Sequence, residues 1–150
     1  MKNGDNKKII GLDLDGVIIN HTPAKIKLAK KLGFNLKPKE THSEIISKII
    51  DKSAYSEFQQ VLYYDPKIFK KTPLMIGARA GLNVIKKSGI PFTLISRRRQ
   101  PEATILILKH HDLWPEFFNK NNTFFVAEPE DKNIKARGLG VTHYVDDEAS

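Results

Sequence analysis

The chain has 150 residues, 40% hydrophobic and 28% charged, with no cysteine and a formal net charge of +8. That length fits one compact domain and is too short for two substantial ones. The composition excludes a disulfide framework, a thiolate metal site and a bilayer-spanning run of roughly 20 apolar residues.

Met1–Lys8 is polar and lacks the apolar centre of a secretion signal, so a cytoplasmic protein with no membrane partner is expected. The first strand is Lys8–Leu12, an apolar run that ends in Asp13-Leu14-Asp15-Gly16. Residues 20–71 break the pattern that follows. They read as helices over Pro23–Leu32 and Thr41–Ile50 and a less regular Tyr55–Lys71, a small helical insertion over the strand ends. Lys25, Lys27, Lys30 and Lys31 recur there at helical spacing, which predicts a solvated face rather than a site for an anionic partner.

Thr72-Pro73 offers an N-cap and a first-turn proline for a helix that Ser88-Gly89 closes. A strand over Pro91–Ser96 and a helix from Pro101 towards His110 come next. A strand over Thr123–Ala127, a short helix capped by Asp131 and ending at Gly138, and a strand over Thr142–Val145 complete the chain. Strands alternating with helices predict an α/β fold, a Rossmann-like doubly wound parallel sheet with right-handed crossovers. Residues 1–19 and 72–150 form its core, and 20–71 the insertion.

Open parallel sheets bind ligands outside the carboxyl ends of their strands. Asp13 and Asp15 follow the first strand, Ser96 and Arg97 end the second, and Asp146-Asp147 follow the fourth. Lys132 lies near the start of the helix that leads into the fourth strand, at the same edge. Taken singly, each has a plain reading as a capped turn, a turn serine, a surface lysine or a solvated acid pair. Their convergence from distant segments points to a site, and crowded carboxylates need a cation. An oxygen-only donor set suits Mg²⁺.

In this order, Leu12-Asp13-Leu14-Asp15-Gly16-Val17, Leu94-Ile95-Ser96, Lys132 and Tyr144-Val145-Asp146-Asp147 resemble the four signature motifs of the haloacid dehalogenase superfamily. The resemblance covers Lys8–Asp147 apart from the insertion. It implies a Mg²⁺-dependent phosphohydrolase in which Asp13 is the nucleophile and forms an aspartyl-phosphate. Asp15 then acts as general acid and base, and Ser96 with the following backbone N–H holds a phosphoryl oxygen. Mg²⁺ is bound by the Asp13 carboxylate, the Asp15 backbone carbonyl and Asp146. Asp147 serves as a further ligand or behind that set. Lys132 steadies Asp13 and the phosphate. Lys135 is the alternative lysine, about 4.5 Å further along the helix. Of Arg97, Arg98 and Arg99, Arg97 is the candidate for substrate contact, and at least two of the three are expected in a solvated turn.

The insertion resembles a small helical cap. Tyr63, Tyr64 and His42 are candidates there for selecting the leaving group, although packing and surface roles are the preferred reading. The expected substrate is a small phosphorylated metabolite or nucleotide. A phosphorylated polymer such as a nucleic-acid end is the alternative, and nucleic acid is not the favoured partner. A non-catalytic binding module of the same fold has no need of Asp13, Asp15 and Asp146 together. A dehalogenase does not need Asp146 and an acid at position 15. The absence of a G-x-x-x-x-G-K-[ST] loop argues against a kinase. The sequence ends at Ser150, where relatives commonly continue with a helix and often a strand. The sheet edge beside the fourth strand is therefore expected to be less covered, with the oligomeric state left open.

Overall fold

The computed structural model describes residues 7–98 and 100–147. They form two compact units, one of them Asn20–Pro73 and the other the rest of the described chain. No described helix is long and apolar enough to cross a membrane.

The larger unit is built on four parallel strands, β1 (Ile10–Leu12), β2 (Phe92–Arg97), β3 (Thr123–Val126) and β4 (His143–Val145), in the order β3-β2-β1-β4. Successive strands therefore run outward from β1 to β3, and the chain then returns to the other side of β1. This reversal makes the carboxyl end of β1 the switch point of the sheet, where a doubly wound fold opens a crevice. Leu12, Leu94 and Ile95 are buried in the sheet, and Leu82, Ile107 and Leu108 come from the connecting helices. Burial on both faces explains why β1 and β2 read as continuous apolar runs rather than alternating ones.

Gly11 opposes Tyr144 in the β1–β4 register. A Cβ on Gly11 would lie 2.7 Å from Tyr144 Cδ2. The missing side chain lets the ring lie against β1, and its hydroxyl donates to Ile95 O on β2 at 3.2 Å. One aromatic residue thus ties three strands together.

Three helices connect the strands: α5 (Ala78–Ser88), α6 (Pro101–His110) and α7 (Pro129–Gly138). Here the structure corrects two sequence expectations. Thr72-Pro73 does not open a helix. The Thr72 hydroxyl donates to Ile68 O at 3.0 Å and so closes the preceding helix. Leu74 instead bridges Ile19, Met75 N donates to Ile18 O, and α5 starts only after Gly77, at φ 84°. Asp131 is not the cap of α7 but its third residue. Its carboxylate accepts from Glu128 N at 3.2 Å in a reciprocal capping box, and Pro129 begins the helix.

Asn20–Pro73 contains α1 (Thr22–Lys31), a 3-10 turn over Pro38–Glu40, α2 (Ser43–Ile49), α3 (Lys52–Tyr64) and α4 (Pro66–Phe69). Leu28, Ala29, Leu36, Ile46, Ile50, Phe58 and Leu62 form its core. The stretch expected to be irregular is therefore helical. Asp51 caps α3 by accepting from Ala54 N, and Asp65 caps α4 by accepting from Lys67 N. Pro66 forces the break between them because it has no N–H to continue the ladder. Lys25 leaves the solvated face assigned to it: its Nζ donates to Thr41 O at 2.8 Å, whereas Lys27, Lys30 and Lys31 are exposed. His42 is the N-cap of α2 and accepts from Glu44 N, while Tyr63 packs edge-on against His21. Tyr64 is half-buried.

Candidate active site

The ladder of β1 continues one residue past the strand, with Asp13 N donating to Val145 O at 3.0 Å. The chain then turns sharply. Ile18 N and Ile19 N both donate to Leu14 O, and Gly16 sits at φ 83°. That left-handed conformation favours glycine. A Cβ on Gly16 would also collide with the Asp147 carboxylate, so glycine lets the turn pass directly against the end of β4.

Asp13 is 5% exposed. Its Oδ1 accepts from Leu14 N at 2.8 Å, and its Oδ2 lies 3.3 Å from Lys132 Nζ. Lys132, in the first turn of α7, is also 3.8 Å from Asp146 Oδ2. Asp13, Asp146 and Asp147 each offer a carboxylate oxygen within 4.8 Å of the other two. Burial pushes the Asp13 carboxyl up to about 8, against the pull of Lys132 and with the help of Asp15 and Asp146. One lysine does not compensate this much negative charge. The all-oxygen donor set fits a hard divalent cation such as Mg²⁺.

Ser96 is fully buried on β2, and its hydroxyl has no hydrogen-bond partner among the described residues. An unpaired buried hydroxyl costs about 1–3 kcal/mol, which an anionic oxygen arriving beside it would relieve.

The other basic residues sort themselves by side. Lys135 Nζ lies 4.6 Å over the Phe124 ring, a contact with β3. Arg97 is exposed, and its Nε donates to Ala127 O at 3.1 Å. Arg98 is buried, and its Nη2 donates to Asp15 Oδ1 at 2.6 Å. The structure thus places Arg98, and not Arg97, among the carboxylates. Arg99 lies outside the described residues.

From sequence, Arg97 rather than Arg98 is the expected substrate contact and Tyr144 has no assigned role, although Arg98 and Tyr144 each left a signal. Alternation along an extended strand returns residue 98, not 97, to the face of Ser96. Tyr144 is the bulky residue in register with a glycine of the central strand. Burial first, and then the charges of Asp13 and Asp146, raise its phenol well above the usual range. It therefore remains a hydrogen-bond donor.

No family model and no curated protein matches the sequence. Solved structures match across most of the chain. One is a hydrolase from Streptococcus pneumoniae TIGR4, at 12% identity and a TM-score of 0.57, with 92% of this chain and 80% of that one covered. A HAD hydrolase of family IA, variant 3, from Entamoeba histolytica matches at 22% identity and a TM-score of 0.56, over 90% of this chain and 71% of that one. A HAD family hydrolase from Deinococcus radiodurans, with bound phosphate and sodium, matches at 14% identity and a TM-score of 0.56, over 93% and 69%.

Proposed function

We propose that this chain, which has the haloacid dehalogenase fold, is a Mg²⁺-dependent phosphohydrolase acting on phosphomonoesters of small metabolites or nucleotides. The observation that carries this reading is Asp13: a buried carboxylate at the sheet's switch point, with Lys132 at 3.3 Å and with Asp146 and Asp147 each offering a carboxylate oxygen within 4.8 Å.

Asp13, Asp146, Asp147 and the Asp15 backbone carbonyl are the groups that would hold Mg²⁺. When bound, the ion screens the nucleophile from its anionic substrate and stabilises charge on the phosphoryl oxygens. In the proposed reaction, an Asp13 oxygen bonds to phosphorus as the bond to the leaving oxygen breaks. Asp15 supplies the proton that the leaving alkoxide needs. Water then attacks the aspartyl-phosphate, Asp15 takes its proton, and Asp13 is released. Lys132 offsets the charge on Asp13. The Ser96 hydroxyl and the backbone N–H after it are the proposed seats for a phosphoryl oxygen, in keeping with a transfer that depends on position and electrostatics. Phosphate bound to the Deinococcus radiodurans structure supports an anionic phosphoryl ligand for this fold. Asn20–Pro73 is the proposed substrate-selecting cap.

The test is turnover of p-nitrophenyl phosphate and a panel of about a hundred phosphorylated metabolites, with Mg²⁺ and with excess chelator. Mg²⁺-dependent release of phosphate that Asp13→Asn abolishes is expected. Full activity in chelator, or in Asp13→Asn, would remove the proposed chemistry.

A further inference from the structure

Arg98 takes no part in the reaction outlined above, yet among the described residues it is more deeply buried at the site than Lys132. Its side chain is 4% exposed and meets an Asp15 side chain that is 26% exposed. A buried guanidinium is costly unless it is paired. Here its partner is the carboxylate assigned to proton transfer. Both main chains are independently anchored: Arg98 N donates to Val126 O at 3.2 Å, and Asp15 is bridged to Ile19. The side-chain contact therefore joins two fixed points of the backbone across the crevice.

We infer that Arg98 is a positioning residue that holds the Asp15 carboxylate in place for proton transfer at the leaving oxygen and at the attacking water. The inference rests on the phosphohydrolase reading. Asp15 opens a tight turn, with Ile18 N and Ile19 N both donating to Leu14 O, and a short side chain at the mouth of a crevice has alternative rotamers facing solvent. A short contact from a guanidinium whose own backbone is tied to the sheet through Val126 O removes that freedom. Effective catalysis depends on such placement, since small displacements of a reacting group are costly in rate. In the first step the Asp13 oxygen–phosphorus bond forms, the phosphorus–leaving oxygen bond breaks, and a proton passes from Asp15 to the leaving oxygen. In the second, water bonds to phosphorus, the bond to Asp13 breaks, and a proton returns to Asp15. Arg98 contributes to both through the location of Asp15 and touches neither reacting atom.

A double-mutant cycle tests this. Wild type, Arg98→Met, Asp15→Asn and the double variant are compared by kcat and KM on p-nitrophenyl phosphate, whose good leaving group keeps Asp15→Asn measurable. Arg98→Met should lower kcat on the order of 10- to 100-fold, at or below the lower end of what a positioned proton-transfer group supplies, because Asp15 is displaced and not removed. KM should change by less than about threefold. With Asp15→Asn already present, adding Arg98→Met should change kcat by less than about threefold, because the group it positions no longer transfers protons. Arg98→Lys keeps the charge and much of the length, stands in should Arg98→Met fail to fold, and should restore part of the rate. Equal losses in both backgrounds would overturn the inference, since only a role that does not pass through the Asp15 carboxylate is indifferent to the identity of residue 15. A loss confined to KM would overturn it too, in favour of direct substrate contact. An inactive wild type, or an Asp15→Asn with full activity on every ester, would instead sink the phosphohydrolase reading and this inference with it.

Discussion

Asp13 pays for its placement in stability. Its folded-state value of about 8 lies above the ordinary 3.8, so between those values the folded protein binds more protons than the unfolded one. Metal-free stability should therefore fall as pH rises from about 4 to about 8 and level off above that. Asp13→Asn removes the titration. It should raise the Tm of the metal-free protein at pH 8 by about 5–10 °C and leave it nearly unchanged at pH 4. Thermal unfolding in chelator at both pH values checks this, and an Asp13→Asn less stable at pH 8 would contradict the buried-carboxylate account. Adding Mg²⁺ at pH 8 should stabilise wild type more than the variant, because the ion removes the same penalty.

The two lysines of α7 separate at this scale as well. Lys132→Met removes the cation 3.3 Å from Asp13 and should cost on the order of 10²-fold in kcat, as loss of a preorganised charge contact does. Lys135→Ala removes a contact with the Phe124 ring and should leave kcat within about twofold. Steady-state kinetics of both variants decides between them. The reverse ranking would reassign the charge partner of Asp13.

At the scale of elements, β1 is short, and its packing against β4 depends on a residue with no side chain. Gly11→Ala would push a methyl into the Tyr144 ring and should destabilise by about 1–3 kcal/mol, the usual cost of overpacking. Tyr144→Ala in the same chain should return part of that loss by opening the space. Denaturant unfolding of the single and double variants measures the coupling. Additive losses would show that the ring does not depend on the glycine.

All four strands were legible in the sequence to within two residues at either end, because short apolar runs bounded by turns are what two-sided burial produces. Asp13, Ser96, Lys132 and Asp146 could be placed at one edge from strand order alone. Side-chain direction was the obstacle. Nothing in Ser96-Arg97-Arg98 except strand parity says which arginine turns inward. Thr72-Pro73 has every local mark of a helix start, but the hydroxyl is claimed by Ile68 O. Polar Ser53, Gln59 and Gln60 masked the spacing of Phe58 and Leu62 that makes α3 a helix.

At the scale of the molecule, Asn20–Pro73 has its own apolar core and leaves the rest of the chain at Ile19 and re-enters at Leu74. Replacing residues 20–73 by a short turn should leave the sheet intact and spare hydrolysis of p-nitrophenyl phosphate. It should change the ranking of natural phosphates, whose leaving groups supply binding energy that the simple ester lacks. Circular dichroism of the shortened protein and relative kcat/KM across the panel check both parts. An unchanged ranking would show that these residues do not select the substrate.

Ile19 and Leu74 face each other as an antiparallel pair, and the backbone just inside them is joined from Met75 N to Ile18 O. The two strands of chain entering and leaving Asn20–Pro73 are thus held side by side, like the contacts of a socket. In evolutionary terms the position is an insertion point that asks almost nothing of what is inserted beyond closely spaced ends. Descendants of such a chain can lengthen, shorten or exchange that module while the carboxylates at the switch point stay where they are. If the proposed function holds, selection on substrate range and selection on the phosphoryl chemistry then act on separate stretches of the gene.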